Sequence, residues 1–552
     1  MDFSLRHHAL LERALQAIAE RSYWSPYSES PSPKVYGETA KDEQAAAFKA
    51  LLGKAFVLED HPADAPAVGD ETSPFGPRLG VTYPAAKLTT LIDASMDAGE
   101  GWEDATADTR AGVLLEIIDR LNKHSFLIAN AVSMTSGQAF MMAFQAGGPH
   151  AQDRALEAVA YAVAEQRRVP APTRWEKPQG KGDPVRLDKS WRIVPRGVAL
   201  VIGCATFPTW NTYPGLFASL ATGNSVIVKP HPAAILPAAI TVKIARDVIK
   251  EAGFDPNLVL LAADTAAKPI TMKLAAMPEI EIIDYTGSSQ FGQWLRENAG
   301  DKQLYCEEAG INPIAITGVP NFKAMCDNIA FSLSLYSGQM CTAPQNIFIP
   351  KKGVQTDEGP KSFAEVGRGI ADAIDRLLGD PTRAQAVLGA IQNPATLKRI
   401  AAARKLGKVV RESGSVEGAG EARMATPLLV AVDAKDEAAY TQERFGPIAF
   451  LIACKNAEDA VYQASLSAFT FGAITAALYA IDEIMILLAE KSFGRAGANL
   501  SVNLIGNIFV NQSAAFSDFH ATGANPAANA SLTDAAFVAN RFRVVAMRRM
   551  VA

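Results

Sequence analysis

The chain has 552 residues, about twice what one hydrophobic core usually holds, so two or three units are expected. Its 49% apolar and 20% charged residues are a globular balance, and a net charge of -5 gives no reason to expect nucleic acid or an anionic membrane as partner. The five cysteines (Cys204, Cys306, Cys326, Cys341, Cys454) are odd in number and hold no CxxC pair. That argues against a disulfide framework or a local zinc motif, and fits a reducing cytoplasm.

In chain order, residues 1–8 carry no apolar run behind a basic segment, so no secretory leader is expected. Residues 1–80 read as an appended segment, with a helix over 10–19 and a Pro-rich stretch over 23–33. Amphipathic helices follow at 107–121 and 148–165. From Gly197 the pattern predicts strands at 198–203, 225–228, 258–261 and 280–285. Helices at 213–220, 235–252, 269–277 and 289–299 alternate with them. Apolar strands alternating with helices imply a parallel sheet covered on both faces, with ligand beyond the strand ends. A second α/β unit runs from 311 to about 504, and 537–546 reads as a strand. The uncharged stretches 197–228 and 462–481 are broken by Pro208, Pro214 and Gly472, so both are expected to be buried core and not membrane spans.

Several residues draw chemical attention. Cys341 follows Tyr336-Ser337-Gly338-Gln339-Met340, where the small Ser337 and Gly338 let a loop approach a ligand. Taken alone it reads as an inert buried thiol. Glu307 stands beside Glu308 before an apolar strand, where burial is expected to raise its pKa toward that of a general base. Gly287-Ser288 sits at a strand-to-helix junction whose free N–H groups suit a phosphate. Lys229 leaves a strand end in Lys229-Pro230-His231-Pro232. No strand carries GxGxxG.

Together these segments resemble the motifs of the aldehyde dehydrogenase superfamily. The ordered matches are Ala205-Thr206-Phe207-Pro208, Val228-Lys229-Pro230, Thr286-Gly287-Ser288, Glu307 to Pro313, Ser337 to Cys341, and Glu443-Arg444-Phe445-Gly446-Pro447. The 34-residue step from Glu307 to Cys341 is also the family's spacing. The resemblance implies an α/β fold of two Rossmann-like parallel-sheet domains plus a small bridging or oligomerisation element. It divides the chain into a 1–80 extension, a cofactor domain (81–165 and 190–310), a catalytic domain (311–505), and a bridging element (166–189 with 506–552). It makes Cys341 the nucleophile that becomes a thioester and Glu307 the base that activates water. Lys229, His231, Gly287, Ser288, Glu443 and Phe445 become the cofactor set. No metal is implied, and the assembly would be a homodimer or homotetramer.

Two departures from the family pattern stand out. Counting back from Lys229 by the family's spacing places Thr206 where an oxyanion-binding Asn belongs, leaving Thr206 or Asn211 as donor. Pro232 replaces the Glu that binds the adenosine ribose, which favours NADP over NAD, with His231 beside the 2′-phosphate. The family's C-terminal glycine-rich segment is poorly kept around residues 516–523. The segments Tyr23 to Tyr27, Gly203 to Asn211 and Lys229 to Pro232 resemble the aldehyde dehydrogenase-like proteins of bacterial phenylacetate degradation, implying a semialdehyde, or a coenzyme A semialdehyde, as substrate. Coenzyme A-acylating chemistry and a non-catalytic binding protein are the alternatives.

Overall fold

The computed structural model describes residues 3–308 and 310–551. Two parallel sheets form the body. The first has five strands in the order Val259–Leu261, Ser225–Lys229, Val198–Ile202, Ile280–Gly287, Gln303–Glu308, all parallel. Its centre is apolar throughout because both faces are covered. Ala199 and Val201 point into one cluster with Leu216 and Ile240, while Val198, Leu200 and Ile202 point into another with Leu91 and Leu274. This is the period-2 alternation of a strand sandwiched between helix layers.

The second sheet has seven strands in the order Lys408–Arg411, Leu428–Asp433, Ile448–Cys454, Asn346–Pro350, Pro313–Ile316, Thr475–Tyr479, Asn499–Val502. All pair in parallel except Lys408–Arg411, which is antiparallel to its neighbour. The strands read as apolar runs all belong to the first sheet, within a residue or two of the expected bounds, three at its centre and Val259–Leu261 at its edge.

A third, antiparallel sheet joins Thr173–Gln179, Gly182–Pro195 and Phe542–Met550. The tail pairs with residues 187–195, and the expected strand over 537–546 begins instead as the helix Ala535–Ala539. Asp534 causes this by accepting the Phe537 N–H at 2.7 Å as an N-cap.

The segment ahead of residue 80 packs onto the body. Helix Phe3–Glu20 lies on Ala107–Lys123, where His7 and Glu116 meet at 2.8 Å. Glu71 accepts the N–H groups of Ile235 and Leu236 at the start of Leu236–Glu251. The expectation that 462–481 is buried core fails in part. In helix Ala457–Phe471 the core face is Ala460, Val461, Ala464 and Ala468, whereas Tyr462, Leu466 and Phe469 are exposed. Among the described residues no helix is long and apolar enough to cross a membrane.

Candidate active site

Strand Gln303–Glu308 ends the first sheet, and its pleat separates the two adjacent carboxylates. Glu308 turns to Arg296 at 2.5 Å. Glu307 turns the other way, into a 3%-exposed position between Asn211 and His520.

Cys341 arrives on a strained loop. Tyr336 (φ 51°), Ser337 (φ 51°) and Gly338 (φ 62°) are left-handed in succession, which costs on the order of 1–3 kcal/mol at each non-glycine residue. Surrounding contacts hold this shape. The Tyr336 hydroxyl donates to the Ser136 carbonyl, and the Ser337 hydroxyl donates to the Leu388 carbonyl at 3.1 Å. Asn312 Nδ2 donates to the carbonyls of Cys341 at 2.8 Å and Ala343 at 2.9 Å. A side chain at position 338 would meet the Gly446 carbonyl at 2.6 Å, so the Glu443–Pro447 motif presses directly on the nucleophile loop.

The half-buried Cys341 Sγ lies 3.8 Å from His520 Nε2, and the same nitrogen lies 3.1 Å from Glu307 Oε1. Asn211 Nδ2 donates to Glu307 Oε2 at 3.3 Å. His520 Nδ1 faces the Ser513 hydroxyl at 3.4 Å, and its ring meets the edge of Trp210 at 4.6 Å. Burial pushes the Glu307 pKa up, but His520, Cys341 and Asn211 outweigh it and hold the carboxyl below its ordinary value. The expectation that burial raises Glu307 is therefore corrected: its hydrogen-bond donors win. Burial and the Glu307 carboxylate push Cys341 well above the ordinary thiol range, so the resting group is a thiol.

The structure places Asn211 against Glu307 but sends the Thr206 hydroxyl elsewhere, to Cys204 Sγ at 3.7 Å. On the cofactor side, Lys229 is buried, and Nζ donates to Asp264 at 2.8 Å and to the Pro230 carbonyl at 2.7 Å. His231 is exposed, and its Nδ1 accepts the Ala233 N–H at 3.1 Å, which requires that nitrogen to be unprotonated. A Cβ on Gly287 would collide with the Tyr285 ring. Ser288 caps helix Ser289–Asn298 by accepting the Phe291 N–H. Glu443 and Phe445 are both partly exposed. Burial raises Glu443 to about 7, with Arg399 opposing and Glu308 adding.

The sequence profile of the aldehyde dehydrogenase family matches residues 82–503. The chain belongs to the aldehyde dehydrogenase family. A solved structure described as an NAD-dependent aldehyde dehydrogenase from Burkholderia multivorans is 54% identical, with TM-score 0.98, covering 100% of this chain and 99% of that one. The N-succinylglutamate 5-semialdehyde dehydrogenase of Burkholderia mallei (strain SAVP1) is 31% identical over 299 residues. That match covers 52% of this chain and only 57% of the relative's length. The NADP-dependent glyceraldehyde-3-phosphate dehydrogenase of Bacillus halodurans shares the fold at 18% identity and TM-score 0.71, covering 90% of this chain and 100% of that one.

Within this aldehyde dehydrogenase frame, sequence reasoning missed His520, Ser513 and Asp264. His520 lies 179 residues from Cys341 and 213 from Glu307, inside the segment read only as a poorly kept glycine-rich motif. A histidine replacing small residues there was the available signal.

Proposed function

We propose that the chain oxidises an aldehyde to a carboxylic acid with NAD(P) through a thioester on Cys341. The observation that carries this is the meeting of Cys341, Glu307 and Asn211 beside the last strand of a parallel sheet, the end of such a sheet where ligands usually bind. The Cys341 sulfur attacks the carbonyl carbon as its proton passes to Glu307. The resulting oxyanion is held by the Cys341 backbone N–H and the second N–H of Asn211 Nδ2. Bound in the cleft, the nicotinamide cofactor supplies the acceptor for the hydride leaving that carbon. Glu307 passes the thiol's proton on to solvent and then takes a proton from water, which attacks the thioester and releases the acid, and that proton returns to the Cys341 sulfur.

These residues suit a dinucleotide: Gly287 permits close backbone approach, the Ser288-capped helix start offers free N–H groups to a phosphate, and the buried Lys229–Asp264 pair would lie toward a ribose. The preference for NADP, reasoned from Pro232, finds no support. The Lys229 charge at that strand end is already paired with Asp264, and His231 presents an unprotonated nitrogen, so neither offers an unpaired cation to a 2′-phosphate. The Burkholderia multivorans neighbour is described as NAD-dependent. We therefore favour NAD.

For substrate we favour a semialdehyde, in keeping with the Burkholderia mallei relative's name, and a coenzyme A semialdehyde of phenylacetate breakdown in keeping with the branch resemblance. The division into a cofactor domain, a catalytic domain and a bridging element belongs to the same reading. So does a homodimer or homotetramer, supported by the exposed apolar stripe of Tyr462, Leu466, Phe469, Ile484 and Leu487 and by Val545 and Met547 on the tail strand.

The test is a panel of aldehydes and coenzyme A semialdehydes with NAD and NADP, on wild type and Cys341→Ala. Aldehyde-dependent cofactor reduction lost in Cys341→Ala is expected. Equal turnover in the variant, or none on any aldehyde, overturns the reading, and acyl-coenzyme A as product would select acylating chemistry instead.

A further inference from the structure

The side-chain donors of Glu307, Cys341 and His520 all lie within 4.8 Å of one another, although three separate segments supply them. Both the thiol and the carboxylate face the same histidine nitrogen, Nε2. A proton relay sets its two partners on opposite ring nitrogens. Three donors converging on one point is instead the arrangement around a metal ion.

Two of the three edges are close to that arrangement, and the third, from sulfur to carboxylate oxygen, is within 4.8 Å. Tetrahedral zinc with ordinary bond lengths needs about 3.6 Å between sulfur and nitrogen and about 3.4 Å between nitrogen and oxygen. The structure has 3.8 Å and 3.1 Å, so rotamer-scale adjustment closes both. The outer contacts are also in place. Ser513 faces His520 Nδ1 and Asn211 binds the far Glu307 oxygen, which orients Nε2 and Oε1 inward. A thiolate and a carboxylate would put two negative charges where Glu307 and His520 are each only 3% exposed, and a divalent cation cancels them. The sulfur–nitrogen–oxygen set suits a borderline cation and not Mg2+ or Ca2+, which take oxygen ligands.

We propose that Cys341, Glu307 and His520 form a site for one Zn2+-like cation whose occupation blocks the nucleophile. On ligation the Cys341 thiol gives its proton to solvent, no electron moves, and the fourth position stays open toward the cleft. The binding claim stands on geometry alone, while the blocking claim rests on the aldehyde reading above.

The test uses the full chain stripped with a chelator. Zn2+ is titrated against a chromophoric chelator, and Co2+ is titrated in parallel by absorbance. One Zn2+ per chain is expected, weakened at least about tenfold in Cys341→Ser and in His520→Gln. Co2+ should give a thiolate-to-cobalt charge-transfer band in wild type that Cys341→Ser lacks. Aldehyde oxidation should fall as Zn2+ fills the site and return with EDTA. No bound Zn2+, equal affinity in both variants, or no thiolate band in wild type overturns the proposal. The wild-type cobalt spectrum decides even if a variant fails to fold. Turnover without Zn2+ binding sinks this inference and spares the function; binding without turnover does the reverse.

Discussion

Arg541 anchors the tail to the first, five-stranded sheet from a position with no solvent exposure. Its guanidinium is bidentate to Asp284 at 2.8 and 2.6 Å, donates to Ser219 at 2.7 Å, and donates through Nε to the Phe537 carbonyl at 2.9 Å. It also stacks on Tyr305 at 4.3 Å and on Phe537 at 4.2 Å. Arg541→Met keeps much of the volume and the aromatic contact but strands the Asp284 carboxylate, itself only 6% exposed. Each charge-assisted bond contributes about 1.5–3 kcal/mol, and part of that is offset by desolvation already present in the pair. The expected loss is therefore about 3–5 kcal/mol. Because a chain of several units does not unfold in two states, the readout is the first urea transition, followed by tryptophan fluorescence at constant m. Arg541→Met/Asp284→Leu should recover at least about half of the loss, since no charge is then left unpaired. A loss below about 1 kcal/mol, or a double variant equal to the sum of its singles, refutes this reasoning.

Three further outcomes are expected. Asn211→Ala should lower kcat by about 10²-fold, and Thr206→Val by less than about threefold, because only Asn211 reaches Glu307; steady-state kinetics showing the reverse order would return the oxyanion role to Thr206. Glu443, raised to about 7, is neutral below that pH and a carboxylate above it, so the KM for the cofactor should fall by up to about tenfold between pH 6 and 8. In Glu443→Gln that dependence should vanish, and a flat wild-type profile would show that Glu443 does not bind the ribose. Burial and then Arg246 lower the pKa of His61 to about 4, and its Nε2 accepts the Leu261 N–H at 3.0 Å. The unfolded chain binds that proton more tightly. The neutral ring's contribution is thus complete above about pH 6.5 and is lost as pH falls toward 4, for a total of about 3 kcal/mol. His61→Gln should flatten that part of the acid-stability curve, and an unchanged curve counts against the assignment.

The parallel sheets were legible because uncharged strands such as Val198–Ile202 and Ile280–Gly287 leave a continuous apolar trace flanked by helical spacing. Cys341 and Glu307 were legible together through their spacing, where either alone was ambiguous. His520 and Asp264 were not, because their contacts close across hundreds of residues or around a strand end, and no local pattern records them. The exposed face of Ala457–Phe471 is not legible, because lack of charge does not by itself mean burial. In that helix small alanines fill the core, and the large Tyr462 and Phe469 point outward. The Glu307 shift went the wrong way for a related reason: burial is visible in an apolar context, but the donors that offset it come from elsewhere in the chain.

The segment that closes over Glu307 also sets a timetable. Asn529 accepts the Cys306 N–H at 2.7 Å, the Ala527 carbonyl accepts the Glu308 N–H at 2.6 Å, and His520 covers the carboxylate between them. These residues are translated well after Cys341, a lag on the order of 10–40 s at about 5–20 residues per second. Throughout that interval the nascent chain carries its nucleophilic sulfur without a lid. A ribosome-bound chain halted near residue 505 should then be alkylated at Cys341 by iodoacetamide faster than the released protein, and the reactivity should drop once the closing segment emerges.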